Sequence, residues 1–184
     1  MPTVVLRPAS TTSQTGWVAD PILTAADGNL TTGIAQNNVT CNWTAVLDDL
    51  DSGLSGATIN NFTISLRGNA GRAGASTVTL SLVHSSDGEF AGEAESWTGS
   101  VSIETTSART TQQDGSSALT FAYINNCSVK IAPNSQGITI EELYVTVDYT
   151  EASGYGHATL GVASANIASV KGVATANISK VIGV

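Results

Sequence analysis

Ile138 to Tyr149 reads ITIEELYVTVDY, and the parity of its apolar residues decides the fold. In an extended chain, successive side chains point to opposite faces. Ile138 and Ile140 make one apolar series, while Leu143, Val145, Val147 and Tyr149 make a second of opposite parity. A one-residue slip near Glu141 and Glu142 reconciles them, and a β-bulge supplies that slip by setting two residues opposite one. So long a strand, rich in β-branched and aromatic residues, reads as the centre of a sheet. It also closes a domain, because the composition changes within a few residues of Tyr149.

Working back from this strand, the same alternation recurs. Thr3–Leu6 reads as a first strand ended by Pro8, followed by a long polar connection from Ala9 to Gln36. Val39 to Leu47 alternates through Cys41, Trp43 and Ala45, and Ile59 to Arg67 through Phe62, Ile64 and Leu66. Thr77 to His84 alternates through Val78, Leu80 and Leu82. An acidic loop opens at Asp87-Gly88 and runs to Ser96, and Trp97 to Glu104 then places Trp97, Val101 and Ile103 on one face. Leu119–Ile124 and Cys127–Ile131 read as two strands joined at Asn125-Asn126, a hairpin turn. About eight strands divided by turn signals, without an amphipathic helix, predict an all-β antiparallel sandwich of jelly-roll type, with an immunoglobulin-like order as the alternative. The expected core comprises Trp43, Phe62, Leu66, Leu80, Leu82, Val101, Phe121, Val145 and Val147.

The 184 residues divide into a sandwich over 1–150, a linker over 151–160 and an extension over 161–184. The extension repeats with a period of eleven: GVASANIASVK from Gly161, then GVATANISKVI from Gly172, then Gly183-Val184. A helical coil of that period is disfavoured by the Gly, Asn, Val, Ile and Thr in each copy. Short strands joined at Lys171-Gly172 fit better, and a flexible tail is the simpler alternative. Its apolar residues Val162, Ile167, Val170, Val173, Ile178 and Val181 make too thin a stripe to fold alone, so they are the expected partner interface.

A formal charge of −8 and a pI near 4.4 argue against phosphate-backbone binding and disfavour anionic membranes, since basic residues are few and scattered. The opening MPTVVLRPAS has no charged segment followed by an apolar run, so no signal peptide and folding in a cytoplasm are expected. No apolar run reaches the roughly 20 residues of a membrane span. Cys41 and Cys127 lack metal-ligand spacing and read as buried thiols.

Candidate chemistry is sparse, and neither a catalytic site, a metal nor a cofactor is expected. His84 and His157 stand without a nucleophile elbow or acidic partner. Asp48, Asp49 and Asp51 before Gly53 carry oxygen ligands but only part of a calcium loop. Glu89, Glu93 and Glu95 read as a solvated loop, and the run from Gly68 to Gly74 as a turn, because phosphate-cradling loops open helices. Asn-x-Ser/Thr triplets at Asn29, Asn38, Asn42, Asn61, Asn126 and Asn177 reflect an Asn- and Thr-rich composition. Of Trp17, Trp43 and Trp97, only Trp17 falls in a loop where it can serve as a sugar-stacking platform.

The opening VVLRP, Gly16-Trp17, the Asp27-Gly28 turn before a Thr-rich segment and the closing LYVTVDY resemble small β-sandwich proteins of tailed-bacteriophage particles. The Gly-Val-Ala repeats resemble those attached to phage head, neck and fibre proteins, with Lys171-Gly172 where Asn-Gly is common. The resemblance implies a non-enzymatic virion protein assembled in a bacterial cytoplasm, most simply a capsid-decoration subunit. Its expected partners are other virion proteins and two copies of itself in a homotrimer, with neither nucleic acid nor membrane. A neck or tail fibre subunit is the alternative in that class, and a carbohydrate-binding adhesion module the alternative outside it.

Overall fold

The computed structural model describes residues 1–17, 34–35, 41–70, 76–97, 100–133, 138–151, 169–170 and 173–174. Two antiparallel sheets pack face to face as a jelly-roll-like β-sandwich. The first holds β1 (Thr3–Leu6), β11 (Ile138–Thr150), β5 (Thr58–Ala70) and β9 (Ser102–Thr105) in that order, with β3 (Ile34–Ala35) also paired to β11. The second runs β2 (Pro8–Thr15), β4 (Asn42–Leu47), β10 (Cys127–Pro133) and β6 (Ser76–His84). There β6 also pairs with β7 (Gly88–Glu89) and β8 (Glu93–Trp97).

The central strand carries the predicted slip. The β11–β5 ladder shifts register between Ile140 and Glu142, so Ile138 and Ile140 point inward together with Leu143, Val145 and Val147. All five are fully buried. Burial of each such side chain stabilises by about 1.5–3 kcal/mol, so this strand alone gathers roughly as much as the net stability of a typical domain. A second shift between Asp148 and Tyr149 leaves Tyr149 only partly covered against the core. Trp43, Phe62, Leu66, Leu80 and Leu82 complete the expected core.

Other expectations are corrected. The polar connection after Pro8 begins as strand β2, paired with β4 through two register shifts. Its PASTTSQT sequence shows no alternation because it is an edge strand with mostly exposed side chains. The acidic loop after Asp87 instead doubles back as β7 and β8 along β6, from His84↔Gly88 to Ser76↔Trp97. Trp97 and Ile103 do not share a strand: Trp97 ends β8 in one sheet, and β9 belongs to the other. Val101 therefore lies on the crossing and is 42% exposed, and Ile103 faces outward at 49%.

The expected strand at Leu119–Ile124 is a short helix, α1 (Phe121–Asn125). Thr120 caps it, its hydroxyl accepting the Tyr123 N–H, and Asn126 ends it, so no hairpin forms at Asn125-Asn126. Phe121 packs only partly against the core. The loop after Leu47 contains a single 3-10 turn, Ser52–Leu54, capped by Asp51.

The glycine-rich run is not wholly a turn either, because β5 continues through Gly68 to Ala70. A Cβ at Gly68 would lie 2.2 Å from the Thr139 carbonyl oxygen and 3.1 Å from the Trp97 ring, so only glycine lets β5 and β11 pair there. Leu80→Ala is expected to lower the unfolding free energy by about 2–5 kcal/mol. Val101→Ala is expected to change it by less than about 0.5 kcal/mol. Urea unfolding of the two variants measures this, and equal losses would return Val101 to the core.

Candidate functional site

The sandwich interior offers little room. A crevice lined by Phe62, Leu80, Phe90, Glu93, Thr106 and Arg109 holds about 10 Å³, the size of one water site.

His84 is buried, its ring stacked on Tyr123 at 3.9 Å and 4°. Its Nδ1 lies 3.3 Å from the Asp87 N–H, 3.4 Å from the Ser86 N–H and 3.2 Å from the Ser86 hydroxyl. The Asp87 carboxylate is 3.4 Å from the same nitrogen. A nucleophile–base relay needs serine and acid on opposite ring nitrogens, whereas here both meet on one. The imidazole organises its own turn. Burial, with the Asp87 carboxylate nearby, holds the Tyr123 hydroxyl above its ordinary pKa. Burial pushes the Cys127 thiol up to about 12, and Asp87 adds to the rise. That thiol is inert at neutral pH. Cys41 and Cys127 are both buried, and the Cys41 thiol donates to the Gly16 carbonyl at 3.2 Å.

Asp48 and Asp49 are exposed, and several of the other acidic candidates are engaged individually. Asp51 Oδ1 accepts the Gly53 N–H at 2.8 Å. Among the described residues, no three His, Cys, Asp or Glu side chains gather as a metal site. Glu89, expected in a solvated loop, accepts from Ser81 Oγ at 2.8 Å and Lys130 Nζ at 2.6 Å. Partial burial acts to raise its pKa, and the Lys130 and Ser81 hydrogen bonds with the Lys130 charge outweigh it, so the carboxyl sits below its ordinary value. Glu93 accepts the Ser107 N–H at 3.0 Å and its hydroxyl at 2.9 Å. Asp114 is held at about 2 by the Ser117 hydroxyl and by the Ser116 and Ser117 N–H groups.

The three tryptophans do not form a platform. Trp43 and Trp97 are buried, and Trp43 Nε1 donates to Thr11 Oγ1 at 3.0 Å. Gly16, at φ +76°, turns the chain out of β2, and Trp17 then packs partly on the core with its N–H on the Asn42 carbonyl at 3.2 Å. Asn29, Asn38, His157 and Asn177 lie outside the described residues. So do Val162, Ile167, Ile178 and Val181 of the expected interface. Val170 and Val173 pair across Lys171-Gly172 in a two-strand ladder, β12 (Ser169–Val170) with β13 (Val173–Ala174).

One further aromatic residue, Tyr144, is half-buried on the outward side of the five-stranded sheet. Tyr144 has the parity opposite to Leu143 and Val145, so it points away from the core. Its register partners place Ser65 beside it on β5 and Thr105 beyond on β9, whose hydroxyls lie 2.9 Å apart. The next row on this face is Val5, Thr146 and Thr63, and the following one Thr3, Asp148 and Asn61. The row on the other side brings Glu142, Arg67 and Ile103. Rows are about 6.8 Å apart and neighbouring strands about 4.8 Å, so the Tyr144 ring lies within a grid that mixes hydroxyls and Asn61 with exposed Val5 and Ile103 and with the charged Arg67, Glu142 and Asp148. Among the described residues, the Tyr144, Thr63 and Thr146 hydroxyls have no hydrogen-bond partner.

Two ion pairs and one carboxylate held by a neutral amide make up the charges of this face among the described residues. Arg67 Nε donates to Glu141 Oε2 at 2.7 Å, and Arg7 Nε to Glu142 Oε1 at 2.9 Å. Asp148 accepts from Asn61 Nδ2 at 3.2 Å. Glu142 is 1% exposed, and its second oxygen has no protein partner. The alternation already marked Tyr144 as outward; attention to the apolar face alone concealed it.

No protein-family model and no curated protein matches the sequence. Solved structures with a similar architecture are carbohydrate-binding modules. The C-terminal CBM6 of LamC, a marine laminarinase from Zobellia galactanivorans, is 11% identical with a TM-score of 0.46, covering 79% of this chain and 98% of its own. The family 32 module of C. perfringens NanJ, in complex with galactose, is 17% identical with a TM-score of 0.43, covering 78% and 93%. CBM6cm-2 from Cellvibrio mixtus lichenase 5A, in complex with cellotriose, is 12% identical with a TM-score of 0.44, covering 80% and 98%.

Acidic groups collect where the sheet edges meet, with Glu93 and Glu95 on β8 and Glu104 on β9. Burial raises the Glu95 pKa, and the charges of Glu93 and Glu104 add to it. An acid whose folded pKa exceeds its unfolded value binds protons better when folded, so its ionised form opposes folding at neutral pH. That penalty fades as pH falls through the raised pKa. Glu95→Gln is therefore expected to raise Tm at neutral pH, with no gain below the ordinary carboxyl range. Thermal melts of both proteins across pH check the sign, and a lowered Tm at pH 7 contradicts it.

Proposed function

We propose that the chain is a non-catalytic recognition module that binds carbohydrate on the outer face of its five-stranded sheet. The observation that carries this is the Tyr144 ring, set outward on a central strand with its hydroxyl free among the described residues. A sugar ring presents C–H groups on its faces and hydroxyls around its rim. An aromatic side chain with an apolar body and a polar tip, bordered by Thr63, Thr105 and Thr146 and backed by the buried Ser65 hydroxyl that bonds Thr105, complements both. Strands hold these groups before ligand arrives, which lowers the ordering entropy lost on binding. That face, and not the likeness to the modules above, supports the reading.

Affinity electrophoresis through gels containing polysaccharides is the direct test. Tyr144→Ala should lose retardation, by roughly tenfold or more in Kd, while keeping the Tm of the parent protein within a few degrees. Unchanged retardation in that variant removes the face from consideration.

A second reading is favoured by the ladder across Lys171-Gly172 within the eleven-residue repeat. In it the chain is a structural part of a phage particle, either capsid decoration or a neck or tail fibre subunit. The repeat pairs with identical chains or neighbouring virion proteins, and the sandwich is displayed outward. A chain ending at Glu151 should keep its sandwich yet lose oligomerisation or particle attachment. Light scattering and co-sedimentation with particles lacking the protein measure this. Unchanged mass and attachment would make the repeat a passive tail.

A further inference from the structure

We infer that the ligand of the Tyr144 face is a neutral saccharide chain and not an acidic polysaccharide, an inference that rests on the carbohydrate-binding reading. Recognition of a uronate or sulfate group calls for a guanidinium or ammonium free to form charge-assisted hydrogen bonds. Among the described residues this face holds two guanidiniums, and both are engaged by carboxylates, Arg67 by Glu141 and Arg7 by Glu142. Withdrawing either for a ligand would strand its carboxylate, and Glu142 is 1% exposed, so the stranded charge would be a buried one.

Asp148 adds a third carboxylate, tied to neutral Asn61, which leaves the face with more negative than positive groups. The whole chain carries a formal charge of −8. An approaching polyanion thus meets repulsion locally and at long range, within a Debye length of about 8 Å at physiological salt. A neutral sugar meets none of it. It finds a ring to lie on, neutral hydroxyls to bond and a grid more than one sugar ring long. Its binding releases no counterions, so it is insensitive to salt.

The test uses the full chain in native gels cast with neutral polymers (hydroxyethylcellulose, galactan, mannan) or acidic ones (alginate, polygalacturonate), at low and high salt. Retardation by at least one neutral polymer and by neither acidic one, unchanged by salt, is the expected result. Tyr144→Ala should abolish it, and Tyr144→Phe, which keeps the ring, should retain at least about a third of the affinity. Retardation by an acidic polymer that weakens with salt and disappears in Tyr144→Ala would overturn the ligand class while leaving the site standing. Failure of every polymer to retard the parent protein would overturn the carbohydrate reading beneath it.

Discussion

The bulge at Glu141 is the constraint on which the rest of the sandwich depends. A one-residue slip in pairing turns every side chain of a strand to the other face. Without the extra residue between Ile140 and Glu142, either Ile138 and Ile140 or Leu143, Val145 and Val147 would lie outside the core. The two glutamates at the bulge also hold Arg67 of β5 and Arg7, which follows β1, so one irregularity ties three neighbouring strands. Glu142 makes that tie one-sided in energy. Removing Arg7 would leave a buried carboxylate without its cation, a far larger loss than the pair contributes over apolar substitutes. The same slip decides that Tyr144 faces solvent.

Strands that line the core were legible because one of their faces is apolar and the other is not. Cys41 to Leu47, Phe62 to Leu66 and Val78 to Leu82 alternate, and their inward residues are buried. Strand β2 escaped because its single ladder neighbour lets both faces stay polar, so its formation rests on backbone pairing with β4. Residues 119–124 were misread for a different reason. A short apolar run fits a strand or a helix turn equally well, and the Thr120 hydroxyl decides for the helix by capping it. Val101 was assigned to the core by parity carried across a sheet-to-sheet crossing, where parity has no meaning.

The candidate site was less legible than the fold. Sequence reasoning looked for aromatics in loops and settled on Trp17, which spends its N–H on the Asn42 carbonyl. A recognition face built on a sheet is spread over strands far apart in the chain: Val5, Ser65, Thr105 and Tyr144 become neighbours only through register. Single residues of common type carry no motif. What marks them is that, among the described residues of these outward rows, one aromatic ring has the Ser65, Thr63, Thr105 and Thr146 hydroxyls around it, and that pattern exists only after pairing is known.

Strand β1 pairs with β11 from Thr3↔Asp148 to Leu6↔Val145, and the Tyr149 N–H reaches the Pro2 carbonyl at 3.2 Å. The two ends of the sandwich are thus adjacent, and this has a consequence for synthesis. Within the sandwich, β1 is made before the other strands and waits for β11, the last of them, before it has a ladder partner. Until then Leu6 lies in water. Folding of such a topology is slow, because nearly the whole chain must close as one loop before its longest-range contacts form. Once closed, the sandwich enters and leaves on the same side, so it can sit within a longer polypeptide as a bead whose two threads emerge side by side.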